Sequence, residues 1–201
     1  LPPQGEATKC QPVLNLNNDI FTAVMNRKYF IILLLSIFIA VFMLAGFFLP
    51  KQIEVRNEVT IKQSPVAIYS VVNNLNTWQQ WSIWSTEIDS SMTYKFSDEM
   101  QKMMWNGNYG GNGSITFTGK IPDSEIQTFL SLQDDKFNMP GIIRLEIIDA
   151  QTTRVSWTNT IKLGNNPLKR YLGSSIQNVV HRDIGECLNG LQKFISSQPV
   201  S

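Results

Sequence analysis

The chain reads as an α+β protein: a curved antiparallel sheet of roughly six or seven strands wrapped around a long C-terminal helix, preceded by one transmembrane helix. Three observations predict this. Tyr29 to Leu49 is a run of 21 residues in which only Ser36 and Gly46 fall outside the apolar class. From Ile53 to Leu163, short stretches of alternating apolar and polar residues recur between turn residues. From Leu168 to Ile195 the apolar residues fall at helical spacing.

Composition narrows the class. Its 201 residues, 43% of them apolar, accommodate one ordinary domain plus an extra segment. Seventeen Lys and Arg against sixteen Asp and Glu leave a formal charge of +1, and past Pro50 fourteen of each sign cancel. A nucleic-acid binder needs a basic face to neutralise phosphates, so no nucleic-acid partner is expected. Cys10 and Cys187 sit in unrelated contexts and supply neither a disulfide framework nor a zinc spacing. The single histidine, His181, leaves a histidine metal centre or a Ser-His-Asp triad without parts. No metal and no cofactor are expected.

The elements follow in order. Twenty-one helical residues span about 31 Å, close to the ~30 Å hydrocarbon thickness of a bilayer, so residues 29–49 read as a transmembrane anchor. Arg27 and Lys28 flank one end, Lys51 and Arg56 the other, a near balance that votes weakly for a cytoplasmic N-terminus. No small-x-small cleavage site follows the run, and Phe47 stands where a lipoprotein box would need cysteine, so the anchor is expected to stay attached. The globular domain, residues 50–201, then lies outside the cytoplasm, on a periplasmic or extracellular face. Residues 1–28 read as a flexible tail, with translation expected to begin at Met25.

Ile53, Val55, Val59 and Ile61 alternate with charged and polar residues, a half-buried strand. Ser64-Pro65 offers an N-cap and a first helical position for a short helix that ends at Asn73-Asn74. Trp78, Trp81 and Trp84, spaced by three, suit a second brief helix, either as core or as an interfacial belt. Strands are expected over 93–96, 113–119, 125–132, 142–148 and 154–163, with another beginning at Trp105. Breaks are expected at Pro122-Asp123, Pro140-Gly141 and Gln151-Thr152; such short links favour an antiparallel meander. Residues 107–113 are glycine-rich but lack the strand-to-helix setting of a phosphate loop, and read as a flexible hairpin. The stripe from Leu168 to Ile195 predicts one helix of about 42 Å.

Four features, in this order along the chain, carry a family likeness. They are Val59–Pro65 followed by the tryptophan-rich 78–84; Trp105-Asn106-Gly107-Asn108 leading to Gly113-Ser114; Thr153-Arg154-Val155-Ser156-Trp157-Thr158; and Pro167–Gly173 running into Asp183 and Leu188. Residues 53–194 thereby resemble the START-like, or SRPBCC, superfamily, in particular its polyketide cyclase/dehydrase-like branch with a leading membrane helix. The chain departs from it at Asp98–Met104, where relatives commonly carry a glycine-rich loop; the bulkier residues imply a different cavity entrance.

The resemblance implies a helix-grip fold whose sheet and C-terminal helix enclose an apolar cavity. Inward strand positions Trp105, Ile115, Phe117, Ile143, Leu145, Val155, Trp157 and Asn159 are its expected lining from the sheet. Leu172, Ile176, Gln177, Val180 and Asp183 are its expected lining from the helix, a mixture suited to a pocket with a few polar groups. A carboxylate on an apolar stripe is costly to bury unless paired. Asp183 is therefore either an ion-pair partner, for instance of Arg154, or a polar anchor and the one weak candidate for a proton acceptor. Three functions are compatible with this reading. The first is a membrane-anchored module binding a hydrophobic small molecule or lipid. The second is a cyclase or dehydratase acting on a polyketide-like substrate, and the third is a protein-interaction module without ligand.

Overall fold

A computed structural model describes residues 16–109, 111–133 and 136–198. The chain divides into two compact units, one ending at Ala45 and one running from Gly46. Helix α1, Leu16–Phe48, supplies the first unit and the opening turn of the second. Within it residues 27–48, with mean hydropathy 2.9, are long and apolar enough to cross a membrane, a property that spans and signal sequences share. Part of the expected tail is thus helical from Leu16, because lengthening an existing helix costs far less than nucleating one. Residues 1–15 of that tail lie outside the described residues, as does much of the stretch ahead of Met25.

The second unit is a seven-stranded, wholly antiparallel sheet in the order β1-β7-β6-β5-β4-β3-β2. Its strands are β1 (Gln52–Ile61), β2 (Thr93–Phe96), β3 (Lys102–Asn106), β4 (Asn112–Ile121), β5 (Glu125–Leu132), β6 (Phe137–Asp149) and β7 (Thr152–Lys162). Strands β2 to β7 form the expected meander, and β1 closes the far edge against β7. Between β1 and β2 lie α2 (Pro65–Val72) and, after a 3-10 turn over Leu75–Thr77, the single turn α3 (Trp78–Trp81). Ser64 caps α2 by accepting from the Ala67 N–H, with Pro65 in the first turn, as the sequence predicts.

Three boundaries differ from expectation. Strand β6 runs straight through Pro140-Gly141, because its pairing with β7 starts only at Gly141 and so needs no donor from Pro140. Strand β3 begins at Lys102, drawing Met103 and Met104 out of the expected loop and burying Met103 in the core. The C-terminal helix is two helices, α4 (Pro167–Tyr171) and α5 (Gly173–Ser197). At Leu172 ψ moves to −5°, and Gly173 then lies so close to Ile53 and Leu163 that a Cβ would stand 2.8 and 2.9 Å from their methyl carbons.

All five tryptophans are buried, so the belt reading of Trp78, Trp81 and Trp84 gives way to core. Trp78 packs against Trp81 at 4.4 Å, Phe117 at 6.1 Å and Trp157 at 5.5 Å, while Trp84 stacks on Trp105 at 4.4 Å. Buried Asp89 holds the start of the glycine-rich stretch: its carboxylate accepts from the Tyr109 N–H at 2.8 Å and the Ser91 N–H at 2.9 Å.

Helix α5 buries Val180, Ile184, Cys187, Leu188, Leu191 and Ile195, chiefly against β1, and its C-terminal half meets α3. Gly190 permits that approach: a Cβ there would collide with the Trp81 carbonyl oxygen. Gly190→Ala is expected to lower stability by about 1–3 kcal/mol, although alanine favours a helix interior by about 1 kcal/mol. Urea unfolding followed by tryptophan fluorescence checks it, and an unchanged midpoint contradicts the clash.

Burial pushes the Cys187 thiol up from about 9 to about 12, aided by Asp183 and Glu186. Between those values the unfolded thiol ionises while the folded one does not, so its contribution to stability is lost as pH rises across that window. Thiol-reactive dye is expected to reach Cys187 only after unfolding.

Candidate functional site

The sheet register brings one set of side chains into line. Val55, Asn159, Gly141, Thr128 and Phe117 are consecutive cross-strand partners on β1, β7, β6, β5 and β4. All five are buried beneath the helical layer. The adjoining inward rung holds Asn57, Trp157, Ile143 and Ile126. This follows from strand alternation: inward phases of β5 (Ile126, Thr128, Leu130), β6 (Met139, Gly141, Ile143, Leu145) and β7 (Val155, Trp157, Asn159, Ile161) lie side by side.

Polar atoms gather in the middle of this apolar face. Asn159 is 0% exposed, and neither its Oδ1 nor its Nδ2 has a hydrogen-bond partner. Thr128 Oγ1 and the Trp157 Nε1–H are buried and unpartnered as well. The Asn159 and Thr128 oxygens lean over Gly141, into the space its Cβ would fill; that atom would stand 2.9 Å from Thr128 Oγ1 and closer still to Asn159 Oδ1. By contrast the Trp78 indole N–H is satisfied by the Val72 carbonyl at 2.9 Å, and Trp81 by Thr77. An unpartnered buried polar group costs about 1–3 kcal/mol, so five such atoms within two rungs, Asn57 Oδ1 included, are an unusual concentration. The set is neutral and offers both donors and acceptors, which suits a carbonyl or hydroxyl on a guest.

Eight expected lining residues from the sheet (Trp105, Ile115, Phe117, Ile143, Leu145, Val155, Trp157 and Asn159) do share the buried inward face. Of the five expected from the helix, Val180 is buried and Ile176 and Asp183 are half-buried. Leu172, at 58% exposure, and Gln177 stand at the surface instead. The cause is the break at Leu172 together with the seating of α5 along the β1 edge, which turns the helix's buried stripe through Gly173, Val180, Ile184 and Cys187. Asp183 is half-buried and pairs with its chain neighbour Arg182 at 3.0 Å. Arg154, on the outward phase of β7, pairs with Glu146 at 3.5 Å and not with Asp183.

Thr128 and Gly141 were outside the expected site. Their inward phase was readable from Ile126 and Leu130 and from Ile143 and Leu145, but their alignment with Asn159 depends on register. Trp78 caps the rung by contact with Phe117 and Trp157. A groove of about 500 Å³ that includes Arg56, Arg144, Thr158 and Thr160 also reaches Thr128 and Gly141, so only the thickness of the sheet separates it from the rung. Another, of about 610 Å³, opens between Trp81, Ile83, Glu186, Gly190 and Phe194. Among the described residues no three His, Cys, Asp or Glu side chains gather as a metal would need.

No protein-family model and no curated protein matches the chain. Solved structures do. A START superfamily protein from Mycobacterium smegmatis is 13% identical, covers 71% of this chain and 97% of its own, and superposes with a TM-score of 0.53. The Zhui aromatase/cyclase from Streptomyces sp. R1128 is 14% identical over 72% of this chain and 94% of its own, with a TM-score of 0.53. The protein XoxI from Bacillus cereus is likewise 14% identical, over 72% and 96%, with a TM-score of 0.54. At such identities the likeness is one of fold, and the antiparallel sheet, the short helices and the long α5 agree with it: the chain carries a START-like helix-grip fold, preceded in sequence by an apolar helix.

Proposed function

We propose that this is a membrane-anchored binding module, held by residues 29–49 with its START-like domain outside the cytoplasm, and that it takes up a hydrophobic small molecule or lipid carrying one polar group. The observation that carries this reading is the buried rung of Thr128, Gly141 and Asn159, with its unpartnered oxygens and amide. A guest's carbonyl or hydroxyl pairs with Asn159 and Thr128, and its apolar body replaces Trp78 over Phe117 and Trp157. Trp78 sits on a single helical turn that follows a 3-10 turn, so displacing it unwinds no long helix. The side chains around the rung bind and orient; none titrates near neutrality as acid–base catalysis requires. This favours uptake over a cyclase reaction, for which Asp183, paired with Arg182, is the remaining weak candidate.

A second reading, a protein-interaction module without ligand, is favoured by the tryptophan filling of the interior and by the outer grooves. The two part on one experiment. The full chain is purified from membranes and its bound apolar molecules are extracted and weighed by mass spectrometry, beside the double variant Asn159→Leu, Thr128→Val. Uptake predicts a stoichiometric guest in the wild type and at least a tenfold loss in the variant. Thermal stability of the guest-free variant is expected to hold or rise, since each removed polar group relieves about 1–3 kcal/mol. A wild type that carries nothing, or a variant that retains the guest, contradicts uptake and leaves the interaction module.

A further inference from the structure

The second unit opens with the last turn of α1, Gly46–Phe48, and this turn is built into the domain. Gly46 is buried, and a Cβ on it would stand 2.6 Å from Pro167 Cβ and 2.9 Å from the Tyr171 ring. Arg170, 4% exposed, closes the turn. Its Nη1 donates to the carbonyl oxygens of Phe47 at 2.8 Å, Leu49 at 3.3 Å and Gly46 at 3.4 Å, and its Nε to Gly164 at 3.0 Å. The last carbonyls of a helix lack intrahelical donors and carry partial negative charge, so a buried guanidinium is satisfied there by carbonyls alone. The consequence is spatial: residues 164–171 are held beside Gly46–Leu49, where the chain enters the domain.

The surface around this clamp has a distinct chemistry. Phe48, Leu168 and Leu172 are 92%, 53% and 58% exposed, and Lys51, Lys162 and Lys169 are exposed among them. Lys51 and Lys162 are brought together where the Lys51 carbonyl accepts from the Leu163 N–H at the end of β7. Residues 46–53 and 162–173 contain no Asp or Glu at all. Three other well-exposed isoleucines differ: Ile88 lies between Glu87 and Asp89, Ile147 follows Glu146, and Ile121 precedes Asp123 by two. Apolar side chains set among lysines match a bilayer surface, where the former enter the headgroup–acyl boundary and the latter meet anionic phosphates.

We infer that this base is a second membrane contact, seated on an anionic phospholipid surface with Leu168 and Leu172 inserted and Lys51, Lys162 and Lys169 among the phosphates. The inference rests on the reading of residues 29–49 as a membrane anchor: a chain that leaves the hydrocarbon at Leu49 brings whatever Arg170 ties to Leu49 to the headgroups. Both apolar insertion and charge then act on one face, and an anchor with two signals holds its domain more closely than a tether alone.

The full chain with Cys10→Ser, reconstituted in phosphatidylcholine–phosphatidylglycerol vesicles, carries a single environment-sensitive dye at Leu168→Cys or Leu172→Cys, with Ile147→Cys as control. Cys187 is buried and stays unlabelled. The expected result is a blue shift at both base positions and loss of most of their emission to headgroup-depth nitroxide lipids, with Ile147→Cys unaffected. Lys51→Glu, Lys162→Glu and Lys169→Glu together are expected to return the base dyes toward a water-like spectrum. Dyes at 168 and 172 as water-like as that at 147, in protein that floats with the vesicles, overturn the seating surface and spare the anchor. Protein that does not float with vesicles overturns the anchor reading, and the surface falls with it.

Discussion

The interior of the domain converges on one indole. Trp78 reaches the sheet from a single turn of helix, meets Trp81, Phe117 and Trp157, and is tied to the end of α2 through the Val72 carbonyl. A seven-stranded sheet bent over a helix leaves more inward surface than the helix can cover, and α5 lies mainly on β1. Beyond the reach of α5, α2 packs on β6 and Trp78 lies on Phe117 of β4 and Trp157 of β7. Truncating such a residue costs about 3–5 kcal/mol, so the position of Trp78 governs whether the rest of the core is closed.

That closure sets two magnitudes against each other. Burying Trp78 and Trp157 is strongly favourable, yet the same burial strands the Asn159 amide and the Thr128 hydroxyl, each at a cost of about 1–3 kcal/mol. The apolar term wins, which is why the domain folds with these atoms unpaired. A leucine or valine would have avoided the cost. What a leucine cannot do is recognise a polar group on a guest, and a low-dielectric interior is where one such hydrogen bond discriminates most. The stability deficit and the binding reading are thus one observation seen from two sides.

The elements legible in the sequence are those specified locally. Ser64-Pro65 starts α2, the alternation of Ile53 to Ile61 is β1, and the antiparallel meander follows from its short turns. The boundaries that moved were set by neighbours. Pro140 lies inside β6 because the β7 ladder starts one residue later, and Leu172 breaks the last helix because Gly173 must approach Ile53 and Leu163. The same holds for the site. Inward residues of single strands are readable from period two, whereas helical spacing groups Leu172 and Gln177 with the apolar stripe without fixing which surface that stripe meets. Arg170, an unremarked member of the Pro167–Gly173 motif, acquires its meaning only from carbonyls more than a hundred residues earlier.

By itself the sequence determined the class of fold, the apolar helix ahead of it and the inward phase of each strand, because periodicity and turn chemistry act over a few residues and need no partner. Only the tertiary structure decided the rung of Thr128, Gly141 and Asn159, the seating of α5 on β1 and the closing of α1 by Arg170. Each of these joins strands or helices far apart in the chain, and its energy comes from desolvation and packing that exist only once the layers have met.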